Sequence, residues 1–358
     1  MNLKRILCVI DALGPGGAER QMAGLSIMLK EQGYEVFVRY HEPKYFFSEQ
    51  IKEAGIDVRC LGAGRSRFFK VLLYRNEIKR INPDVVISFL QPSNILTSII
   101  RLTGLKFKLI VSERNTNIGK GLRDYIRFNL YRIADWIVPN SYSQEAFIKK
   151  EFSFLISKVK TIVNFVDTDY FKPVNKKRGR EILVVATTWI PKNTLGFIRA
   201  LRILKDREVK CHVTWYGKVP DMIDYVNQCE NLIKTLDVSD YIDLKDKTKD
   251  IKVEYNKTDY FCLPSFYEGT SNAICEALAS GLPIICSDVC DNSKYVENEV
   301  NGFLFNPFDT ENIANCIENV LALSDSDYRR YGKNSRDKAL SVFAKKIFIN
   351  NYIQIIDG

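Results

Sequence analysis

The chain has 358 residues, 46% of them hydrophobic and 27% charged, which is typical of a globular protein long enough for two domains. Its first apolar run, Ile6 to Ile10, is too short for a signal peptide or a membrane span, and no longer candidate follows. The formal net charge of +9 belongs to the first half: residues 1–175 hold 27 Lys and Arg against 17 Asp and Glu, and the remainder holds 25 against 26. Such a basic half is compatible with binding to nucleic acid, with binding to an anionic membrane surface, or with a role in solubility alone.

The opening segment, "KRILCVIDALGPGGAERQMAGLSIMLKEQGYEVFVRY", predicts a buried strand, a glycine-rich turn, an amphipathic helix that ends at Gly33, and a second strand. Further strands and helices alternate up to "VKTIVNFV". This alternation indicates an α/β fold with a parallel sheet that is covered by helices on both faces.

A polar and basic segment, "VDTDYFKPVNKKRGR", interrupts this pattern, which begins again at "EILVVATTW". We therefore predict two doubly wound, Rossmann-like domains over residues 1–172 and 173–342. Residues 343–358 are predicted to form a helix that returns to the N-terminal domain.

Nine cysteines occur without a CxxC pair, and several lie in apolar runs. They predict reduced, mostly buried thiols in the cytosol rather than structural zinc. His41 and His212 are the two histidines, so the chain offers little for a histidine-based metal site.

Two glutamates flank the predicted start of a helix in "FYEGTSNAICEALASGLPII". Glu268 follows a strand, at the edge where open parallel sheets bind ligands, and Glu276 lies on the second helical turn with its side chain leaning toward the N-terminus. Free amides of the first turn suit a phosphate, whereas the carboxylates suit neutral hydroxyls. Taken alone, this spacing is more often an ordinary acidic helix start.

The same segment resembles the E-x7-E signature of the family-4 retaining glycosyltransferases of GT-B fold, of the type that builds bacterial cell-surface polysaccharides. "GPGGAER", "VPNS", "VNFVDTDYF", "IPKN" and "NGFLF" are also similar to that family, in the same order along the chain. The resemblance implies an acceptor-binding N-terminal domain and a nucleotide-sugar-binding C-terminal domain.

By this resemblance, Glu276 would hold the nucleotide ribose and Glu268 the hydroxyls of the donor sugar. Lys192 would neutralise the diphosphate, and the backbone amides of Thr270 to Asn272 would bind it. The implied catalytic residues are Glu268, Lys192 and Arg114, and the implied nucleotide-sugar-binding residues are Glu276, Gly269, Thr270, Ser271, Asn272, Gly16, Gly17 and Thr188.

The implied reaction transfers a hexosyl or N-acetylhexosaminyl group from a donor, UDP-linked by expectation, to an acceptor hydroxyl with retention of anomeric configuration. Preorganised amides and a lysine would stabilise the departing diphosphate, so no metal or other cofactor is expected. The expected acceptor is a lipid-linked glycan in lipopolysaccharide, O-antigen or capsule synthesis. The expected location is the cytoplasm, with peripheral association at the inner face of the membrane.

The chain departs from the family pattern at three places. Thr187 and Thr188 stand where many members have a glycine and an arginine. "SERN" at 112–115 stands where many members have a histidine near the sugar, and its Arg114 is a candidate for the missing cation. Lys245 stands where a glycine is usual near the base. Thr188 keeps open the alternative of a catalytically silent nucleotide-sugar-binding protein of the same fold, whereas the intact Glu268, Glu276 and Lys192 argue against it.

Two other motifs have competing interpretations. "GPGGAER" could bind a dinucleotide, but it lacks the full G-x-G-x-x-G spacing, and the second strand ends in "FVRYHEP" without the acidic residue expected to bind a ribose. The "DTD" at 167–169 resembles a metal-binding D-x-D, but its position before the linker favours the cap of a turn.

Segments 65–80 and 120–132 mix cations with large apolar residues. They suit helices at the surface of an anionic membrane, or ordinary helices with their apolar side on the sheet. No nucleic-acid-binding module is recognisable, so we do not expect nucleic acid as a partner.

Overall fold

A computed structural model describes residues 3–114, 119 and 121–358 of the chain. The chain forms two compact units, each with one six-stranded parallel sheet. Unit 1 comprises Met1–Val163 and Phe348–Gly358, and unit 2 comprises Asn164–Ile347. Both sheets carry helices, so the predicted α/β fold with two doubly wound domains is confirmed.

The sheet of unit 1 has the strand order β3-β2-β1-β4-β5-β6. The inner strands are rich in buried apolar residues, as expected for strands that are covered on both faces, whereas the edge strand with the sequence DVRC is polar. Six strands form this sheet. They are β1 (Arg5–Ile10), β2 (Glu35–Tyr40), β3 (Asp57–Cys60), β4 (Val85–Phe89), β5 (Lys108–Glu113) and β6 (Trp136–Pro139).

The helices of unit 1 mostly connect consecutive parallel strands. They are α1 (Gly17–Glu31), α2 (Ser48–Glu53), α3 (Arg67–Ile81), α4 (Gln91–Leu102), α5 (Leu122–Leu130) and α6 (Tyr142–Glu151). Helix α4 packs against both α3 and α5. These three helices therefore lie side by side.

The sheet of unit 2 has the equivalent order, β12-β11-β10-β7-β8-β9. Its strands are β7 (Glu181–Val185), β8 (His212–Lys218), β9 (Ile242–Asp246), β10 (Tyr260–Leu263), β11 (Ile284–Ser287) and β12 (Gly302–Phe305). Gly217 has φ 149° and lies so close to the carbonyl of Ala186 that a Cβ atom would overlap it. Glycine is thus required at this point of β8.

The helices of unit 2 are α7 (Thr194–Asp206), α8 (Ile223–Thr235), α9 (Ile251–Lys257), α10 (Asn272–Ala279), α11 (Asn292–Tyr295), α12 (Thr310–Leu321) and α13 (Asp325–Val342). The last helix, α14 (Lys345–Asp357), begins in unit 2 and continues in unit 1. Its Tyr352 is fully buried and contacts the ring of Phe89. The structure therefore assigns most of the predicted returning helix to the N-terminal unit.

Both unit boundaries differ from the bounds predicted from sequence. The first falls after Val163 rather than after residue 172, because the side chain of Asn164 is hydrogen bonded within unit 2, to the carbonyl of Thr270. The return to unit 1 begins at Phe348 rather than at 343, because Phe343 is buried in unit 2 against Tyr295.

The "DTD" segment caps a turn, as its position predicts. Oδ1 of Asp167 accepts hydrogen bonds from the backbone N–H groups of Asp169 and Tyr170, at 3.2 and 3.1 Å. Its other oxygen accepts a bond from Lys345 at 2.6 Å. Among the described residues, no group of three or more His, Cys, Asp or Glu side chains is placed to hold a metal ion.

None of the nine cysteines, all of which lie in the described part of the chain, forms a disulfide. Burial is confirmed for seven of them, whereas Cys60 is half-buried and Cys290 is exposed. Over the described part of the chain, no helix is both long and apolar enough to cross a bilayer.

Candidate active site

Glu268 lies in the loop after β10, and one of its carboxylate oxygens is doubly bound. Oε1 accepts a hydrogen bond from the Ser265 hydroxyl at 2.6 Å and lies 2.5 Å from Nζ of Lys192. Ser265 is fully buried and the carboxylate is nearly so. Among the described residues, Oε2 has no hydrogen-bond partner, which leaves it available to a ligand hydroxyl.

Lys192 is positioned by the turn before α7. Asn193 follows it in the left-handed conformation, with φ 55°, and donates from its side chain to the carbonyl of Pro307 at 2.7 Å. The carbonyl of Pro191 accepts a bond from the N–H of Phe266 at 2.9 Å. These two bonds connect the lysine turn to the loop after β12 and to the glutamate loop.

The start of α10 is fixed by side chains on both sides. Ser271 is the N-cap and accepts a bond from the N–H of Ile274. The amide of Asn164 donates to the carbonyl of Thr270 at 2.8 Å and to Oδ1 of Asn272 at 2.9 Å. Gly269 precedes this turn and is half-buried. The first turn of a helix directs its N–H groups and its positive dipole end outward, so this rigid turn can bind an anion.

Glu276 lies on α10 and is 4% exposed. The helix ends at Ala279, and Gly281 then takes φ 71°, as the C-terminal signal in the sequence predicts. Two buried carboxylates, Glu268 and Glu276, thus stand before and within the same short helix. This arrangement combines hydroxyl acceptors with an anion-binding helix start and an ammonium group.

Thr188, a predicted nucleotide-sugar-binding residue, is fully buried. Its N–H donates to the carbonyl of Gly217 at 2.9 Å, and its hydroxyl has no partner among the described residues. In this position the side chain presents no atom to a ligand. Lys245, in contrast, is half exposed, with its Nζ 3.7 Å from Asp243 and 5.8 Å from the ring centre of Tyr216.

Arg114 lies in unit 1, after β5. Its guanidinium stacks 3.9 Å from the ring centre of Phe89 and donates to the hydroxyl of Tyr352 at 2.9 Å. Burial lowers the pKa of Arg114, opposed by Tyr352. Asn115, the next residue of the "SERN" motif, is outside the described residues.

Gly16 and Gly17 lie at the start of α1 in unit 1. Gly16 is the N-cap, and the carboxylate of Glu19 occupies the space where its Cβ would lie. Burial raises the pKa of Glu19. Because a carboxylate covers this glycine turn, the turn suits a hydroxyl-bearing ligand better than a phosphate.

Three supporting residues were missed in the sequence. Ser265 binds Glu268, Asn164 holds the start of α10, and Asn193 anchors the lysine turn. Each was visible only as part of a motif, in "PSFYE", "VNFVD" and "IPKN" respectively. The hydrogen-bond partners of Asn164 and Asn193 are distant in sequence, so a local pattern could not reveal the roles of these two residues.

Two family sequence models match consecutive parts of the chain. The "Glycosyltransferase Family 4" model matches residues 15–170, and the "Glycosyl transferases group 1" model matches residues 166–338. The chain belongs to glycosyltransferase family 4. This membership overturns the dinucleotide-enzyme interpretation of "GPGGAER" and confirms the resemblance drawn from the E-x7-E segment.

Several relatives of this family-4 glycosyltransferase are named for their reactions, and two of them are described here. The chain is 24% identical, over 92% of its length and 91% of the relative, to the Campylobacter jejuni "GalNAc-alpha-(1->4)-GalNAc-alpha-(1->3)-diNAcBac-PP-undecaprenol alpha-1,4-N-acetyl-D-galactosaminyltransferase". It is 28% identical, over 52% of its length and 50% of the relative, to the Escherichia coli "UDP-Gal:alpha-D-GlcNAc-diphosphoundecaprenol alpha-1,3-galactosyltransferase".

A solved structure of Anabaena HepE in complex with UDP-glucose has the same fold. The two chains superpose with a TM-score of 0.86 at 17% sequence identity, over 99% of each chain. The family-4 glycosyltransferase described here therefore has the GT-B fold, with two Rossmann-like units.

Proposed function

We propose that this family-4 glycosyltransferase transfers a hexosyl or N-acetylhexosaminyl group from a UDP-linked donor to a hydroxyl of a lipid-linked glycan, with retention of anomeric configuration. The donor binds unit 2 and the acceptor binds unit 1. The reaction uses no metal ion.

One observation carries the proposal: the Lys192–Glu268 pair stands beside the fixed start of α10. The unbound Oε2 of Glu268 can accept a bond from a donor-sugar hydroxyl, and the buried Glu276 can accept bonds from a ribose. Lys192 and the first amides of α10 supply positive charge for the diphosphate. Positive groups that are already in place stabilise the charge that develops as the sugar leaves.

The names of relatives support the choice of donor and acceptor. A UDP-sugar appears in the names of the E. coli relative and of the HepE complex. Undecaprenol joined through a diphosphate appears in the names of the C. jejuni and E. coli relatives. We carry both features over to this chain, for synthesis of a cell-surface polysaccharide such as O-antigen or capsule.

Binding and transfer are tested in two steps. A thermal-shift screen with UDP, GDP and ADP is expected to show the largest stabilisation with UDP, because binding to the folded state raises Tm. Glu276→Gln should reduce the UDP shift, whereas Glu297→Gln, an exposed glutamate of the same unit, should not. Equal shifts with all three nucleotides would contradict the assignment of uracil as the base.

The second step measures UDP release from UDP-glucose, UDP-galactose, UDP-GlcNAc and UDP-GalNAc. Synthetic GlcNAc and GalNAc linked through diphosphate to a short polyprenol serve as acceptors, with EDTA present. Proton NMR of the product should show the α-configuration of the donor. Nucleotide binding without acceptor-dependent release would instead support the silent binding protein, and loss of transfer in EDTA would contradict the metal-free reaction.

A second feature concerns the membrane. The N-terminal half of α3 exposes Phe68, Phe69, Leu72 and Leu73 to solvent rather than packing them on the sheet. The neighbouring helices add five more exposed apolar side chains: Ile99 and Leu102 on α4, and Leu122, Tyr125 and Ile126 on α5. We call these nine residues the apolar helix surface. Its size exceeds the scattered single residues that are normal on a soluble domain.

The segment that contains the N-terminal half of α3 is also rich in positive charge. Between Asp57 and Glu77 the chain has no acidic residue but has five cations, at Arg59, Arg65, Arg67, Lys70 and Arg75. Apolar side chains together with cations match the interface of an anionic bilayer, where each contributes to binding. We therefore propose that unit 1 docks on the cytoplasmic leaflet, where a lipid-linked acceptor is found.

Vesicle flotation tests this docking. The protein should float with phosphatidylcholine vesicles that contain phosphatidylglycerol, less so in high salt, and not with pure phosphatidylcholine. Leu72→Asn should reduce flotation, whereas Leu340→Asn, at an equally exposed leucine of unit 2, should not. Equal flotation of both variants would show that the apolar helix surface does not bind the membrane.

A further inference from the structure

Asp11 lies immediately after β1, at the carboxyl edge of the sheet of unit 1. Its side chain is 14% exposed, and one oxygen, Oδ1, accepts bonds from Ser93 at the start of α4. The backbone N–H of Ser93 is 3.0 Å away and its hydroxyl is 2.5 Å away. Over the described residues, Oδ2 has no hydrogen-bond partner. Ser93 thus fixes the carboxylate while one oxygen remains open.

His41 lies next to Asp11, after β2. It is 6% exposed, and its side chain makes no hydrogen bond with the described residues; Nδ1 is fully enclosed. Its Nε2 is 3.8 Å from Oδ1 of Asp11, too far for a direct hydrogen bond. Burial, with the charge of Lys70, lowers the pKa of His41 to about 4. The imidazole is therefore neutral at pH 7 and does not neutralise Asp11.

The other charged groups around Asp11 do not neutralise it either. Burial raises its pKa to about 6; the two Ser93 bonds oppose this, and the nearby carboxylates Glu42 and Glu19 add to it. Lys44 lies 4.0 Å from Glu42 and exerts its charge on Glu19. A buried carboxylate without a cation is costly, and such groups concentrate at functional sites.

The geometry points to a hydroxyl-binding site: we propose that Asp11 and His41 bind a hydroxyl of the acceptor sugar. The hydroxyl donates to Oδ2 or Oδ1 of Asp11 and accepts from Nε2 of His41, and it lies within hydrogen-bond distance of both. A neutral polyhydroxylated ligand fits here because the carboxylates of Asp11, Glu19 and Glu42 would repel a phosphate. This inference rests on the proposed function, since it names where unit 1 holds the acceptor.

Asp11→Asn is the sharpest variant for the test. An asparagine can keep its oxygen on Ser93 and replaces only the open oxygen with an NH2 group, which cannot accept a hydrogen bond. Because burial disfavours the charged carboxylate, this variant should also have a higher Tm than the wild type at pH 7.5. Glu42→Gln is the matched control, since it removes a neighbouring, more exposed carboxylate.

The experiment measures UDP release with the diphosphate-linked GlcNAc and GalNAc acceptors, under saturating donor. Asp11→Asn should raise the acceptor KM about 10-fold, the value of one lost charged hydrogen bond. The UDP thermal shift, which reports unit 2, should not change. Glu42→Gln should leave the acceptor KM within about 2-fold, since it removes no direct contact.

The pH profile gives a second readout. The acceptor KM of the wild type should fall as pH rises through about 6, because Asp11 becomes the carboxylate that accepts the bond. Asp11→Asn should lack this dependence. An unchanged acceptor KM in Asp11→Asn would overturn this inference but not the proposed function. Absence of transfer by the wild type with every donor would instead overturn the proposed function on which the inference rests.

Discussion

Lys192 and Ser265 both bind the same oxygen of Glu268, at 2.5 and 2.6 Å. The ammonium and the hydroxyl fix the carboxylate from two sides and leave its second oxygen open. Glu268 is therefore held in one orientation before any ligand arrives. Preorganisation of this kind avoids the cost of ordering the group during the reaction.

Replacing Glu268 by Gln should lower kcat/KM for the donor about 100-fold, because a neutral amide binds a sugar hydroxyl less strongly than a carboxylate does. The Ser265 bond is retained, so Tm should change little. Steady-state kinetics with the best UDP-sugar provide the measurement. Glu297→Gln is the control, and a similar loss in that variant would show that the effect is not specific to the pair.

Lys192→Met should weaken UDP binding about 10-fold, since it removes the ammonium that we propose binds the diphosphate but keeps most of the side-chain volume. Calorimetry with UDP and with uridine separates the phosphate contribution from that of the nucleoside. Uridine binding should be unaffected. If both ligands lose affinity equally, the lysine supports the whole site rather than the diphosphate; Lys210→Met, at an exposed lysine of unit 2, is the control.

Gly217→Ala should destabilise unit 2 by about 3 kcal/mol, because the added Cβ overlaps the carbonyl of Ala186 and φ 149° is strained for alanine. Denaturant unfolding gives the change in free energy. Gly104→Ala is a useful comparison, since Gly104 has φ 86° but nothing within 4 Å of an added Cβ. Its smaller loss would separate backbone strain from the steric overlap.

Glu77 links stability to pH in unit 1. It binds Arg80 and the fully buried Arg39, and these bonds lower its pKa from 4.5 to about 2. A depressed pKa contributes stability above the unfolded value, and this stability is lost as pH falls from about 4.5 toward 2. Tm should therefore fall more steeply over this window in the wild type than in Glu77→Gln. Glu49→Gln, at an exposed ion pair, should follow the wild type.

The sequence predicted the alternation of strands and helices because parallel sheets need buried apolar strands and covering helices. It also located Glu268 and Glu276, since a strand end, the Ser271 cap and Gly281 are local signals. The domain bounds and Asn164 depended on contacts between residues far apart in the chain, which no local pattern encodes. The full burial of Thr188 follows likewise from the packing of β7 against β8.

The apolar residues of α3 show a different limit. Spacing identified a helix that mixes cations and apolar side chains, but it could not decide which side faces the sheet. The structure buries Tyr74, Ile78 and Ile81 from the C-terminal half and exposes Phe68 and Leu72 from the N-terminal half. This division along the helix is not visible in the spacing of its residues.

Unit 1 is assembled from both sides of unit 2 in the chain, since residues 348–358 complete it. During synthesis the strands of unit 1 leave the ribosome long before Tyr352 does. Phe89 and Arg114 therefore lack their contacts with Tyr352 until unit 2 has been synthesised. A nascent chain that stalls after α13 would carry every strand of both sheets but an unfinished first unit. Translation of α14 is thus the step that completes unit 1.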